Sequence, residues 1–258
     1  MKIKKILVSQ PQPSTEKSPY FDIEKKYGVK CVFRPFIKVE GISAKEFRQQ
    51  KIAIQDYSAV VFTARTAIDH FFRLCEELRV SVSEDLKYFC VGEQIALYLQ
   101  KYIQYRKRKI FYPESGKVED LVALIQKHSD DNNFLVSVSY VHKDDLITSL
   151  DDNGINYSKA VMYRTVSNDF EKDEVFDYDM LIFFSPSGVV ALLKNFPDFV
   201  QGDIRIACLG PTTARAVREA GLRLDLEAPT PAAPSITAAL EQYLKDNSNN
   251  KNLNINKK

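Results

Sequence analysis

Residues 178–221, YDMLIFFSPSGVVALLKNFPDFVQGDIRIACLGPTTARAVREAG, restrict the fold more than any other stretch. Met180 to Phe184 is an unbroken apolar run, which suits a strand buried on both faces of a parallel sheet. It stops at Ser185-Pro186-Ser187-Gly188, and Val189, Leu192, Leu193 and Phe196 then fall on one helical face. Ile204 to Leu209 repeats the pattern, with the turn Gly210-Pro211-Thr212-Thr213 and a second helix ending at Gly221. Two consecutive strand–turn–helix units point to α/β architecture. Both turns lie where a strand's carboxyl end meets a helix's amino end. Unpaired N–H groups and the helix dipole favour anions there.

The remaining chain repeats the theme. Ile3–Val8, Val29–Phe33, Tyr57–Phe62, Phe89–Val91, Lys107–Phe111, Phe134–Val138 and Leu222–Leu226 read as strands. Helical faces are spelled by Ile68, Phe71, Phe72, Cys75 and Leu78, by Ile95, Leu99 and Ile103, by Leu121, Leu124 and Ile125, and by Ile236, Leu240 and Leu244. Pro35 followed by Phe36–Val39, and Ala160–Val166, read as extended segments, the first an edge or a connector. The Asn- and Lys-rich end, 247–258, is expected to be disordered. There is also an internal echo. Phe62-Thr63-Ala64-Arg65-Thr66 resembles Phe184-Ser185-Pro186-Ser187-Gly188, and Cys90-Val91-Gly92 resembles Cys208-Leu209-Gly210, as two similar α/β domains would.

Composition narrows the function. A net charge of +2 is too mild for a nucleic-acid binder, and Arg106-Lys107-Arg108-Lys109 reads as a solvated edge strand. The start, MKIKKILVSQP, lacks a signal-peptide core, and no segment has the length and apolarity of a membrane span. Cys31, Cys75, Cys90 and Cys208 form no CxxC pair and read as reduced core residues of a cytoplasmic protein. His70, His128 and His142 lack metal-ligand spacing, so no metal is expected. GxSxG, GxGxxG and the phosphate-loop pattern are absent. What remains is a set of hydroxyl-rich strand ends: Thr63 and Thr66, Ser185 and Ser187, Thr212 and Thr213. Ligands of open α/β sheets lie at such ends. For each residue, helix N-capping is the competing reading.

GPTTARAVREAGL followed by EAPTPAAPSITAAL resembles the C-terminal signature of the uroporphyrinogen-III synthase family. IFFSPSGVVALL, VVFTARTAIDHFF and Val161-Met162-Tyr163-Arg164-Thr165 fit the same family. The resemblance implies two parallel-sheet, flavodoxin-like α/β domains joined by two extended connectors. Residues 1–34 with 167–246 would form one, 40–160 the inserted other, and 35–39 and 161–166 the connectors.

The activity so implied is that of a lyase of porphyrin and haem biosynthesis. It cyclises hydroxymethylbilane, a linear tetrapyrrole, with loss of water and inversion of ring D. No cofactor is required, and a monomer that binds neither nucleic acid nor membrane is expected. Tyr163 matches the family's cleft tyrosine and would protonate the departing hydroxyl. Thr212 and Thr213, Ser185, Ser187 and Gly188, and Thr63, Ala64, Arg65 and Gly92 would meet the eight substrate carboxylates. Two stretches depart from the pattern. Ile95 stands where many members carry a hydroxyl, with Glu93 nearby, and Ser139–Lys143 lacks an Arg-Gly-like turn. Those departures favour the alternative, a non-catalytic module of this fold binding a carboxylate-rich or phosphorylated small ligand.

Overall fold

The structure is a computed structural model that describes residues 3–142, 144–171 and 176–255, from 248 on by backbone alone. In chain order it begins β1 (Lys5–Val8), α1 (Pro19–Tyr27), β2 (Lys30–Phe33), β3 (Ile37–Gly41), α2 (Ala44–Gln49). It continues β4 (Ala59–Phe62), α3 (Arg65–Leu78), β5 (Lys87–Cys90), α4 (Glu93–Tyr98), β6 (Ile110–Phe111), α5 (Val118–Gln126). Then come β7 (Phe134–Ser139), α6 (Asp145–Asp152), β8 (Tyr157–Ser167), β9 (Met180–Phe183) and α7 (Pro186–Asn195). The last elements are β10 (Arg205–Leu209), α8 (Pro211–Glu219), β11 (Leu226–Ala228) and α9 (Ile236–Ile255).

The chain divides into two compact units, 1–38 with 166–258, and 39–165. In the first, five parallel strands take the order β11-β10-β9-β1-β2. In the second the order is β6-β5-β4-β7-β8, with β3 added beyond β8. The two lists describe one layout. The strands β9, β10, β11, β1, β2 occupy the places held in the second unit by β4, β5, β6, β7, β8. The first unit is therefore a circular permutation of the second, and the sequence echo pairs the ends of β4 and β5 with those of β9 and β10.

Neighbouring side chains leave a strand on opposite faces, so each sheet builds two cores. Ile6, Val8, Met180 and Ile182 pack under α1 and α9 with Ile23, Ile236 and Leu240. Leu7, Leu181, Phe183 and Cys208 pack under α7 and α8 with Val189, Leu192 and Val217. In the second unit Val60, Phe62, Cys90 and Leu135 meet Ile68, Phe71 and Leu74 of α3, while Val61, Phe89 and Val136 meet Leu121, Ile125 and Leu150 of α5 and α6. All four cysteines are buried and free.

Four expectations are modified. The strand expected over Leu222–Leu226 forms instead at Leu226–Ala228. The basic run Arg106–Lys109 is not a strand. Lys107–Lys109 is a 3-10 turn before the two-residue β6, with Arg106 paired to Glu84 (3.3 Å) and Lys109 to Asp85 (2.8 Å). Glu84 and Asp85 satisfy Arg106 and Lys109, and the turn brings those two cations within reach, while Lys107 and Arg108 are exposed. The stretch 161–166 is continuous with the 11-residue strand β8, with which β7 pairs as far as Tyr163 and which β3 flanks on the other side. Finally, α9 carries helical backbone to Ile255 through part of the stretch expected to be disordered. Adding residues to an already nucleated helix costs little. Residues 256–258 of that stretch lie outside the described residues.

Candidate active site

In a doubly wound sheet the crevice opens where neighbouring strands connect in opposite directions. In the second unit that point lies between β4 and β7. Their carboxyl ends are Thr63 and Ser139, and both line a pocket of about 300 Å³ together with His142, Asp145, Leu146 and Tyr163. Two of the residues singled out from sequence, Thr63 and Tyr163, thus share one wall. Ser139 and His142 have no site role in the sequence reading, which places them only in a stretch that departs from the family pattern. Their signal was positional, since they follow the second of the two strands that flank the switch point.

Tyr163 reaches the pocket through an irregularity. β7 and β8 pair in step from Phe134↔Tyr157 to Val138↔Val161, and the next pair is Ser139↔Tyr163. One extra residue on β8 makes a bulge, a device that re-aims side chains at strand ends. The Tyr163 carbonyl still accepts from Tyr140 N–H at 2.8 Å. The surrounding stretch is clamped residue by residue. Gln50 donates Nε2 to Val161 O (2.8 Å) and accepts Val161 N–H on Oε1 (2.9 Å). Met162 O accepts Ile42 N–H at 3.0 Å. The Tyr163 ring lies nearly parallel to His70, centroids 5.4 Å apart and planes 19° apart. Arg164 pairs with Glu46 (2.9 Å) and Glu40 (3.3 Å).

Burial pushes the Tyr163 phenol above its ordinary pKa, so it keeps its proton at neutral pH. Burial and the Arg73 guanidinium push His70 the other way, keeping its ring neutral. Arg73 Nε donates to His70 Nδ1 at 3.0 Å, which places the imidazole proton on Nε2. His142 Nδ1 lies 2.7 Å from Ser139 O and donates to it. Its buried Nε2 has no hydrogen-bond partner, and Asp144 Oδ1 at 3.6 Å is too distant to be one. The pocket therefore offers one phenol donor at Tyr163 and one exposed hydroxyl at Thr63, with the His142 ring in its wall.

The other named residues sit at helix starts. Ala64 is the N-cap of the 14-residue α3 and has no side-chain oxygen to close it, and Arg65 is exposed beside the Tyr98 ring at 5.4 Å. Gly92 precedes α4, and a Cβ there would lie 3.5 Å from Gly116 Cα. Glu93 is exposed in the first turn of α4, a favourable place for a carboxylate, while Ile95 packs on the core.

In the first unit the corresponding switch point lies between β1 and β9. Ser185 caps α7, its Oγ accepting Gly188 N–H at 3.3 Å, as the capping reading required. Ser187 is exposed and Gly188 buried. A Cβ on Gly188 would lie 3.9 Å from Oγ of Ser9, so Ser9 joins this group, and the hydroxyl directly after the first apolar run was its signal. Gly210 starts α8 at φ +88°, a conformation suited to glycine. Thr212 is exposed there, whereas Thr213 is 1% exposed. Among the described residues no cluster of His, Cys, Asp and Glu could hold a metal ion, and no helix is long and apolar enough to cross a membrane.

The model of the family described as uroporphyrinogen-III synthase HemD matches residues 22–238. This chain belongs to the uroporphyrinogen-III synthase family. The uroporphyrinogen-III synthase of Schizosaccharomyces pombe is 22% identical, over 96% of this chain and 100% of that protein. That of Saccharomyces cerevisiae is 27% identical over 43% of this chain and 46% of its own length. Among solved structures, uroporphyrinogen-III synthetase from Helicobacter pylori aligns with a TM-score of 0.60 at 19% identity, covering 94% of this chain and 99% of that one. A mutant uroporphyrinogen III synthase from Thermus thermophilus aligns at 0.53 and 14%, covering 94% and 98%. These likenesses show the two-domain α/β fold of the synthases.

Proposed function

We propose that this chain is a working uroporphyrinogen-III synthase, a lyase that closes hydroxymethylbilane with inversion of ring D, and that Tyr163 is its proton donor. The observation that carries the reading is the protonated, half-buried phenol of Tyr163 on the wall of the switch-point pocket with Thr63. The hydroxymethyl C–O bond breaks and its oxygen leaves as water, taking the phenol proton. The substituted carbon of ring D attacks the azafulvene so formed and gives a spiro intermediate. That intermediate fragments, and ring D recloses through its free carbon. One proton is taken up by the leaving hydroxyl and one is released as ring D regains aromaticity, so the balance is loss of one water. The protein's share is a single general acid and the folding of the chain into reacting geometry.

A pocket of about 300 Å³ lies at the small end for ligand sites and suits part of a tetrapyrrole. Thr63, Ala64, Arg65 and Gly92 in one unit, and Ser185, Ser187, Gly188, Thr212 and Thr213 in the other, are assigned to its acidic arms. Exposed Thr212 is better placed for this than buried Thr213. The first departure from the family pattern has a local structural role, with Glu93 favoured at a helix start and Ile95 packed on a core, so it does not call for a different ligand. Free, buried thiols suit a cytoplasmic protein, and a monomer is the assembly proposed.

The test is to give purified protein hydroxymethylbilane, oxidise the products and separate the isomers. Type III porphyrin is expected. Type I alone at high protein concentration would overturn the reading.

A further inference from the structure

Arg73 occupies an unusual place beside the clamped strand. Its Nη2 donates to Ile42 O at 2.7 Å and its Nη1 pairs with Glu77 at 2.5 Å, while Nε holds His70. The guanidinium fills space that glycine leaves free at position 41. A Cβ on Gly41 would lie 2.6 Å from Nη2 and 2.8 Å from Nε. Two anchors, Ile42 O and Glu77, and a glycine thus set this planar group in one orientation, and the planar group sets the imidazole. The imidazole in turn lies flat against Tyr163.

We propose that His70, oriented by Arg73, is a positioning residue for Tyr163: the flat neutral ring blocks one face of the phenol and holds its oxygen in a single direction in the pocket. A tyrosine on a strand can otherwise turn about both side-chain bonds. Arg73 N–H bonded to Nδ1 also leaves no room for a second proton on that nitrogen, so the neighbour of the phenol remains an uncharged ring. The other charged groups that act on His70 are Asp69 and Glu77 of its own helix. The proposal rests on Tyr163 as proton donor only for its catalytic consequence; the positioning itself is readable in the protein without substrate.

The test compares His70→Ala and His70→Phe with wild type. It measures the titration of the Tyr163 ring carbon by NMR, assigned with Tyr163→Phe, and kcat and KM with hydroxymethylbilane. In His70→Ala the phenol should titrate closer to an ordinary tyrosine. Its kcat should fall by about tenfold to a hundredfold, the usual cost of misplacing a reacting group, with KM within about twofold. His70→Phe keeps a flat ring and should recover most of that loss, which also guards against a folding defect in the alanine variant. Arg73→Lys removes the Nε donor, and the ring nitrogens of His70 should then report a mixture of tautomers. Unchanged phenol titration in His70→Ala, or a His70→Phe variant as impaired as the alanine one, overturns the proposal. A shifted titration with unchanged kcat leaves the positioning standing and removes Tyr163 from the proton-donor role.

Discussion

Gln50→Ala should loosen the strand that carries Tyr163 at one identifiable bond. β3 ends at Gly41, so beyond that point β8 has no strand partner on that side. The Gln50 amide stands in for one, satisfying both the N–H and the C=O of Val161 at 2.9 and 2.8 Å. Each such bond contributes a net of roughly 0.5–1.5 kcal/mol, so losing both costs about 2 kcal/mol locally. At 1.4 kcal/mol per factor of ten, that corresponds to an opening equilibrium about thirtyfold more favourable. Native-state hydrogen exchange reads this directly. The Val161 amide should exchange at least about tenfold faster in the variant, while amides of the central strand β4 keep their wild-type rates. Gln50→Glu sharpens the test, because an ionised carboxylate can still accept the Val161 N–H but cannot donate to its carbonyl. Wild-type exchange at Val161 in Gln50→Ala would refute the clamp.

Gly41→Ala should displace the Arg73 guanidinium, and loss of the His70 tautomer in the ring-nitrogen spectrum would register it; an unaltered spectrum would show that the site has slack. For Asp225, burial raises the pKa, but Arg223, the Ile206 N–H and Arg205 outweigh it and hold the carboxyl below its ordinary value. Its contribution is therefore present above the unfolded-state pKa of about 3.9 and lost as pH falls through the lower folded value. Asp225→Asn should flatten the acid limb of the stability profile, and an unchanged limb would contradict the assignment. Burial pushes the Cys75 and Cys90 thiols up to about 12 and Cys208 to about 11, so a thiol reagent should label the native protein slowly and the urea-unfolded protein at once. Rapid native labelling would contradict the packing.

The strands that announce themselves in sequence are those buried on both faces. β4, β9 and β10 read as apolar runs because helices cover both sides of their sheets. Edges read poorly. β6 has two residues after a basic turn and reads from sequence as a strand of five, whereas β3, which exposes Lys38, Val39 and Glu40, reads only as an extended edge or connector. The echo between the turns at Thr63 and Ser185 was legible, but the permutation was not, since order in the chain says nothing of order in a sheet. In the site, Tyr163 and Thr63 came from motif and turn chemistry. Ser9, Ser139 and His142 had weaker signals, because a hydroxyl or an imidazole beyond a strand usually has another explanation. The clamps were invisible. Gln50 and Val161 are 111 residues apart, and no local pattern links a glutamine to a backbone that far away.

The most direct measurement of the central claim is the steady-state kinetics of Tyr163→Phe with hydroxymethylbilane. Loss of one general acid costs about 10²- to 10⁴-fold, so kcat should fall by that order while KM stays near the wild-type value. Retention of wild-type kcat would contradict the assignment of the proton donor.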